Sequence, residues 1–243
     1  MTRLDRTNTL VIVPAFNEQD SIVTVIEEIK ATGFPFVVID DGSTDETRSR
    51  AISAGARTIS LPFNAGVGGS LKCGFRYAIE TGYQAVIQCD ADGQHPTESF
   101  ECLLDEANQK SNQLVIGSRF SGGDVTMDIS KHRRLIMQVL SKSISRVTIS
   151  DTTSGFRLIS QPLLGEFARS FPSNYLGDTY EALTVAVGRN YSVSEISAPL
   201  ANRKSGKSTA SNSYATINIF RVLSTKILRT QFKIGENPHK INK

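Results

Sequence analysis

Two aspartates that stand two residues apart, Asp90 and Asp92, are the strongest candidates for chemistry in the chain. They follow an apolar run typical of a buried strand, so both carboxylates can reach one hard divalent cation. Such a cation keeps its remaining coordination sites for water and phosphate oxygens. The alternative is an Asp/Gly turn with solvated carboxylates, which is the commoner role of such residues. The pair alone leaves both interpretations open.

A second acidic pair, Asp40 and Asp41, also follows an apolar run. An ionised carboxylate only accepts hydrogen bonds, so it suits the N–H of a nucleobase or the hydroxyl of a ribose. The alternative is a helix N-terminus, where Ser43, Thr44 and Asp45 are favoured residues. We expect a helix-capping role for Asp45 and a binding role for Asp41.

The elements that must position these residues alternate between strands and helices. Short apolar, β-branched runs predict strands at 9–13, 36–39, 57–61, 85–89 and 114–117. Apolar residues at helical spacing predict helices at 20–31, 44–54, 68–81, 97–109 and 179–188. This alternation implies a parallel sheet with helices on both faces.

The segments after the first four strands are acidic or rich in glycine. In open α/β sheets the chemistry collects beyond the carboxyl ends of the strands, so these segments should converge: 14–18, 40–43, 64–69 and 90–96. The glycines at 66–69 resemble a phosphate cradle but lack the Gly-Lys-Ser/Thr of a phosphate-binding loop. Beyond Arg119 the alternation weakens, and 151–157 reads as a loop.

Composition narrows the class of protein. The 243 residues, 39% of them hydrophobic, suffice for a substantial single-domain core. A formal net charge of +3, from 27 basic and 24 acidic residues, is too small to predict a nucleic-acid partner. The three cysteines match neither a CxxC metal pair nor a disulfide framework, which predicts free thiols. No segment approaches the roughly 18 to 20 apolar residues of a membrane span, so we expect a cytoplasmic protein.

Four motifs in order resemble glycosyltransferase family 2, most closely its polyprenyl-phosphate sugar synthases, which include dolichyl-phosphate mannose synthase: 14–18, 40–43, 90–96 and 154–157. The likeness extends over about 10–208. It implies a GT-A (Rossmann-like) α/β fold with a mostly parallel sheet. It also implies an inverting transfer from a nucleotide-sugar donor, linked to UDP, GDP or dTDP, with Mg²⁺ or Mn²⁺ as cofactor.

The resemblance also implies site residues. Those that would bind the nucleotide are Pro14, Phe16, Glu18, Asp41, Gly68, Asp90 and Ala91. Those that would hold the metal ion are Asp90, Asp92 and Gln94. Arginines would hold an acceptor phosphate, and Arg119, Arg133 or Arg134, and Arg203 match those positions. The predicted acceptor-binding set is Arg133, Arg134, Asp151 and Ser154. Catalysis would fall to Asp92, Arg119 and Arg203, with Asp178 or Glu181.

Several of these residues have a second interpretation. A hydroxyl acceptor needs a general base, for which Asp178 and Glu181 are candidates, whereas a phosphate acceptor is already anionic. Both acids also suit the first turn of a helix. Asp151 either orients the acceptor or an arginine, or only starts a turn. For His95, next to Pro96 in the sequence, we expect a role in shaping the loop rather than in binding metal.

We expect one glycosyltransferase domain at 1–212, with a donor half at 1–120 and an acceptor half at 121–212, followed by a basic amphipathic helix and tail at 213–243. That helix either lies at the inner face of the cell membrane as a peripheral contact, or packs on the domain or on a second subunit of a homo-oligomer. The predicted reaction is transfer to a polyprenyl phosphate. The alternatives are transfer to a glycan hydroxyl and non-catalytic binding of a nucleotide sugar.

Overall fold

The fold is seen in a computed structural model, which describes residues 2–119, 149–171 and 177–198. The strands are β1 (Thr9–Ala15), β2 (Phe36–Asp40), β3 (Thr58–Ser60), β4 (Ala85–Gln88), β5 (Leu114–Ser118), β6 (Arg157–Ser160) and β7 (Val193–Ser197). The helices are α1 (Ile22–Thr32), α2 (Thr47–Ser53), α3 (Gly66–Glu80), α4 (Phe100–Lys110), α5 (Leu163–Arg169) and α6 (Gly177–Gly188).

The seven strands form one sheet in the order β3-β2-β1-β4-β6-β5-β7. The first four are parallel, whereas β6 runs antiparallel to both of its neighbours and β7 is parallel to β5. The prediction of a mostly parallel sheet is therefore confirmed. The interpretation of 151–157 as a loop is wrong at its last residue, because Arg157 begins β6 and pairs with Gln88 of β4.

Helices cover both faces of this sheet, as the alternation predicted. Residues of β1 alternate between the two faces: Val11 and Val13 belong to one core cluster, and Leu10 and Ile12 to the other. Helices α1, α2 and α4 bury residues in the first cluster, and α3, α5 and α6 in the second. Three packed rings join α3 to α5: Phe75 stacks on Phe167, and both meet Phe171 edge to face.

The strand order reverses between β1 and β4. From β1 the chain moves outward to β2 and β3, and α3 then brings it back to β4 on the other side of β1. At this point the connections that follow two neighbouring parallel strands lead to opposite sides. This leaves a crevice beyond the carboxyl ends of the strands, where α/β proteins bind their ligands. The four predicted segments therefore lie at one edge of the sheet.

Several helices begin later than predicted. Helix α1 starts at Ile22, after a turn in which the Glu18 carbonyl accepts from the amides of Ser21 and Ile22. A single 3₁₀ turn, Thr97–Ser99, precedes α4. None of the helices in the described ranges has the length and apolarity that a bilayer crossing requires.

Candidate active site

Asp90 and Asp92 follow β4 directly, at the reversal point of the sheet. The Asp90 side chain is 37% exposed, and Asp92 is half-buried. One oxygen of Asp92 accepts from the amide of Gln94 at 3.0 Å, which closes a tight turn over 92–94. Between the two aspartates, Ala91 is 2% exposed and packs in the core, so it anchors the turn to the sheet.

The Asp90 carboxylate also contacts groups that flank it on the protein side. Gln88, the last residue of β4, donates from Nε2 to Asp90 Oδ1 at 3.2 Å. His95 accepts the Asp90 backbone N–H at Nδ1 at 2.9 Å, and its Nε2 lies 3.6 Å from Asp90 Oδ2. The His95 ring is buried against Phe156, with ring centroids 5.1 Å apart. The expectation that His95 shapes the loop agrees with these contacts.

The loops after β1 and β2 are joined by side-chain hydrogen bonds. Asn17 adopts a left-handed conformation with φ of 55°, which asparagine tolerates better than most residues. The backbone amide of Asn17 donates to Ser43 Oγ at 3.0 Å, and the side-chain Oδ1 accepts from the backbone amide of Thr44 at 2.9 Å. The Glu18 amide donates to Thr47 Oγ1 at 2.7 Å. These bonds hold the first two predicted segments side by side.

Asp41 is 4% exposed and links the second segment to the third. Its Oδ1 accepts from the amide of Ala65 at 2.8 Å, directly before α3. Gly42 next to it has φ of +69°, and a Cβ there would lie 2.9 Å from the Phe63 carbonyl carbon, so only glycine fits. Asp41 therefore has a loop-holding role that the sequence did not indicate, and its nucleoside contact stays a prediction.

The other residues that were predicted to bind the nucleotide-sugar donor lie along the same edge of the sheet. Pro14 is half-buried within β1, and Phe16 beyond it is 36% exposed. Glu18 is half-buried and accepts from Ser21 Oγ at 2.8 Å. Gly68 is buried in the first turn of α3. Their contacts to a nucleotide remain predictions.

Arg119 and Asp151 form a buried ion pair. Asp151 is fully buried and accepts from Arg119 Nε at 2.6 Å and from Nη2 at 2.7 Å. The same guanidinium donates to Thr153 Oγ1 at 2.8 Å. Burial raises the pKa of Asp151, but hydrogen bonds and charge from Arg119 outweigh burial and hold that pKa below its ordinary value. Of the roles considered for Asp151, the geometry gives it the orientation of an arginine.

Two residues that were predicted to contact the acceptor, Ser154 and Asp151, are buried. Ser154 is 2% exposed. Its hydroxyl donates to the Gly117 carbonyl at 2.6 Å and accepts from the Phe156 amide at 3.2 Å. The Ser154 hydroxyl is therefore engaged with the backbone, and its contact to an acceptor stays a prediction. Asp151 is fully buried against Arg119, and its part in acceptor binding likewise stays a prediction.

Glu195 on β7 was not among the sequence candidates. Its Oε2 accepts from the Ser150 amide at 2.8 Å, and Ser150 Oγ lies 2.9 Å from Ser118 Oγ at the end of β5. The turn that carries Asp151 is thus attached to two strands. Glu195 belongs to no local motif, so only the sheet order reveals this contact.

The acceptor side is connected to the same edge through Arg157. This side chain is 2% exposed, donating to the Ser154 carbonyl at 2.7 Å and to the Thr179 carbonyl at 2.8 Å. The bond to Thr179 fixes the first turn of α6. Glu181 follows on the same helix. The remaining acceptor-side predictions lie outside the described residues: Arg133, Arg134, Arg203, the side chain of Asp178 and the helix at 213–243.

The residues at 90–94 fit a weakly caged divalent cation. Within the described ranges, no group of three or more His, Cys, Asp or Glu side chains could enclose a metal ion. Mg²⁺ and Mn²⁺ sites for nucleotides commonly use only one or two carboxylates, with waters and phosphates completing the shell. Asp90 and Asp92 are partly exposed and carry hard oxygen ligands, so the donor set matches that kind of site.

Comparisons with known proteins agree with this geometry. Residues 10–167 match the family model described as "Glycosyl transferase family 2". The chain is 28% identical over 227 residues to polyprenol monophosphomannose synthase from Mycolicibacterium smegmatis, covering 88% of this chain and 85% of the relative. It is 28% identical over 158 residues to undecaprenyl-phosphate mannosyltransferase from Micrococcus luteus, covering 61% and 64%.

The fold also matches solved structures. Glucosyl-3-phosphoglycerate synthase from Mycobacterium tuberculosis, in complex with Mn²⁺, UDP and phosphoglyceric acid, superposes with a TM-score of 0.61 at 27% identity, covering 81% of this chain and 71% of that chain. The predicted GT-A fold is thereby confirmed. The family match spans more than half of the 243 residues and includes every motif that suggested the resemblance. The chain is therefore a glycosyltransferase that belongs to family 2.

Proposed function

We propose that this chain transfers a sugar from a nucleotide-sugar donor to a polyprenyl phosphate, with inversion at the anomeric carbon and with Mg²⁺ or Mn²⁺ at Asp90 and Asp92. The observation that carries the donor half is the position of these two carboxylates at the reversal point between β1 and β4. The names of the two curated relatives support a polyprenyl phosphate as the acceptor.

In the proposed reaction, the segment 14–18 and Asp41 bind the nucleoside, and the diphosphate lies above Asp90 and Asp92. A bound divalent ion neutralises the negative charge that develops on the diphosphate as the glycosidic bond breaks. Arg119, held by Asp151, places a second fixed positive charge at the same edge, where the acceptor phosphate meets the donor. Arg133, Arg134 and Arg203 would complete the acceptor site.

A phosphate acceptor attacks with an oxygen that is already ionised, so this proposal needs no general base. A glycan hydroxyl as acceptor would need one, and Glu181 is the candidate among the described side chains because Arg157 fixes its helix to the site edge. Its carboxylate is half-buried. The two acceptor classes therefore make opposite predictions for Glu181→Gln.

The donor site is tested by thermal unfolding with UDP, GDP and dTDP in the presence of Mn²⁺. A ligand at 100 times its Kd stabilises the folded chain by about 2.7 kcal/mol, which raises the Tm by roughly 5 to 10 °C. We expect one nucleotide to produce this shift and Asp92→Asn to lose most of it. If no nucleotide raises the Tm, the donor site is wrong.

The acceptor is tested with a radiolabelled nucleotide sugar and a short polyprenyl phosphate, followed by extraction of the product into organic solvent. We expect label in the organic phase with the wild-type chain and with Glu181→Gln, and none with Asp92→Asn. Label that appears only on a glycan acceptor, and is lost in Glu181→Gln, would favour the hydroxyl acceptor instead. Absence of turnover with every acceptor and with water would favour a non-catalytic binding protein.

A further inference from the structure

Gln88 is a buried polar residue at the end of an otherwise apolar strand. It ends the buried strand β4, after Ala85, Val86 and Ile87, and is itself 4% exposed. A buried amide that lacks partners is destabilising, so it is normally hydrogen-bonded. Gln88 directs its Nε2 donor to Asp90 Oδ1 at 3.2 Å. The amide thus points at the residue that the proposed function assigns to the metal.

His95 fixes the other side of Asp90. Because Nδ1 accepts the Asp90 backbone N–H at 2.9 Å, the neutral ring carries its proton on Nε2. That Nε2–H faces Asp90 Oδ2 at 3.6 Å, a distance beyond a hydrogen bond but close enough for electrostatic attraction. Packing against Phe156 holds the ring in place. The imidazole therefore fixes the Asp90 backbone by a hydrogen bond and faces the Asp90 carboxylate.

Gly155 leaves room for this arrangement. A Cβ added to Gly155 would lie 3.1 Å from Asp90 Oδ2 and 3.1 Å from Gln88 Nε2. Contacts this short require the carboxylate or the amide to move by a few tenths of an ångström. The backbone of Gly155 therefore closes the protein side of the Asp90 carboxylate.

We propose that Gln88, His95 and Gly155 form a supporting shell that holds the Asp90 carboxylate in its metal-binding orientation before the ion arrives. This inference rests on the proposed function, because it assumes that Asp90 binds the ion. Gln88 donates to Oδ1 from the protein side, and the His95 ring and the Gly155 backbone lie beside Oδ2, so the outer side of the carboxylate is left for the cation. Loss of such supporting partners typically weakens metal binding 10- to 100-fold.

The direct test is the affinity of the full chain for Mn²⁺ alone, measured from the electron paramagnetic resonance signal of free Mn²⁺. Gln88→Met keeps the approximate volume of the side chain and removes the donor. We expect its Kd for Mn²⁺ to rise about 10- to 100-fold. The matched control is Gln84→Met, which should leave the Kd unchanged. Gln84 stands just before the first residue of β4, at the opposite end of the strand from Gln88.

Gly155→Ala tests the shell without removing any hydrogen-bonding group. We expect weaker Mn²⁺ binding, because the new methyl group pushes against Asp90 Oδ2. The matched control is Gly165→Ala on α5, where the new methyl group would also lie 3.1 Å from a side-chain oxygen, that of Gln161. Equal Kd values for Gly155→Ala and the wild-type chain would contradict the steric part of the shell.

His95 is tested by a pair of substitutions. Asparagine can place Oδ1 close to the position of Nδ1 and accept the Asp90 N–H, whereas leucine cannot. We therefore expect His95→Asn to keep more of the Mn²⁺ affinity than His95→Leu. A merely packing role would favour leucine, so the reverse order would overturn the role of the imidazole. Urea denaturation of each variant shows whether the folded state is retained.

The outcomes separate this inference from the proposed function. If the wild-type chain binds no Mn²⁺, alone or with UDP or GDP, the metal site itself is wrong and the shell with it. If the wild-type chain binds Mn²⁺ and Asp90→Ala does not, the metal site stands. Under that condition, wild-type affinity in both Gln88→Met and Gly155→Ala would overturn the supporting shell alone.

Discussion

At the scale of single residues, the pairing of Arg119 with Asp151 decides how the predicted catalytic arginine can act. An arginine that is free to move loses conformational entropy when it meets a phosphate, whereas one held by two short bonds has already lost it. The arrangement also has a cost, because the carboxylate is fully buried and depends on its partner for charge compensation. We therefore expect both the stability of the chain and its proposed function to depend on this pair.

Replacing Asp151 by asparagine should lower the free energy of unfolding by about 3 kcal/mol near neutral pH, because it leaves a largely buried guanidinium without its counter-charge. Urea denaturation measures this loss. The matched control is Glu101→Gln, which breaks the exposed ion pair with Arg6 and should cost under about 1 kcal/mol. Equal losses in the two variants would contradict a structural role for the buried pair.

The same variant should differ from the wild-type chain in its response to acid. The folded-state pKa of Asp151 is lowered, so its stabilisation is complete above the ordinary value of 3.8 and is lost as the pH falls through the lower folded-state value. As the pH falls below the ordinary value of 3.8, the wild-type chain should therefore lose more free energy of unfolding than Asp151→Asn. Parallel pH dependences would show that Asp151 does not contribute to acid sensitivity.

The three cysteines should react in a fixed order with a thiol reagent at pH 8. Cys102 is exposed and should react first, and half-buried Cys73 should react more slowly because burial raises its pKa. Cys89 is fully buried, and burial together with the charges of Asp90 and Asp92 raises its pKa well above the ordinary value. It should react only after unfolding in denaturant. Three equally fast thiols would contradict the packing behind β4.

At the scale of elements, the contact between β5 and the loop before β6 sets the position of Phe156. Gly117 lies against this ring, and the ring in turn packs on His95 and Phe100. A fully buried phenylalanine thus connects the fifth strand to the loop that follows β4. Any shift of Phe156 would be transmitted to the ring that holds the Asp90 backbone.

Gly117→Ala should destabilise the chain markedly, because its Cβ would lie 2.1 Å from Phe156 Cδ1. Overpacking of this kind costs about 1 to 3 kcal/mol, which lowers the Tm by roughly 2 to 12 °C. Gly188→Ala is the control, since a Cβ there meets nothing within 4 Å, and it should change stability by less than about 0.5 kcal/mol. Similar Tm values for both variants would contradict the close contact between Gly117 and the Phe156 ring.

Elements with a strong periodic pattern could be predicted from the sequence, and elements that depend on distant partners could not. The apolar spacing of Ile22, Val25, Ile26 and Ile29 predicts α1 to within a few residues. Strand β6 has only four residues, and its direction depends on pairing with β4 and β5 about 40 to 70 residues earlier in the chain. No local pattern carries that information.

The candidate site divides in the same way. Asp90, Asp92 and Asp41 could be found because each directly follows an apolar strand. The support of Asp151 by Glu195, and of Asp90 by Gln88, could not, because both depend on the order and register of strands. Gln88 did carry one local signal, since it is a polar residue that ends an otherwise apolar buried strand.

At the scale of the whole molecule, the sheet interleaves the two predicted halves of the domain. Strand β6, from the acceptor half, lies between β4 and β5, which both belong to the donor half. Within the described ranges, β5 pairs only with β6 and β7. The boundary predicted near residue 120 therefore does not separate the sheet into two parts.

A fragment of residues 1–119 should consequently fail to fold cooperatively. It lacks both sheet neighbours of β5 and leaves one edge of the buried strand β4 without a partner. Circular dichroism during urea denaturation should show a shallow change without a defined midpoint, whereas the full chain should show a sigmoidal transition. A sigmoidal transition of the fragment would show that the donor half folds alone.

The antiparallel strand β6 also has a consequence for synthesis on the ribosome. After Ser118 has been added, roughly 40 further residues must be made before β6 begins, which takes about 2 to 8 s at ordinary elongation rates. During this interval β5 has been synthesised and its neighbours in the sheet have not. The nascent chain is then a substrate for chaperones and a risk for aggregation, so translation speed should influence its yield independently of native stability.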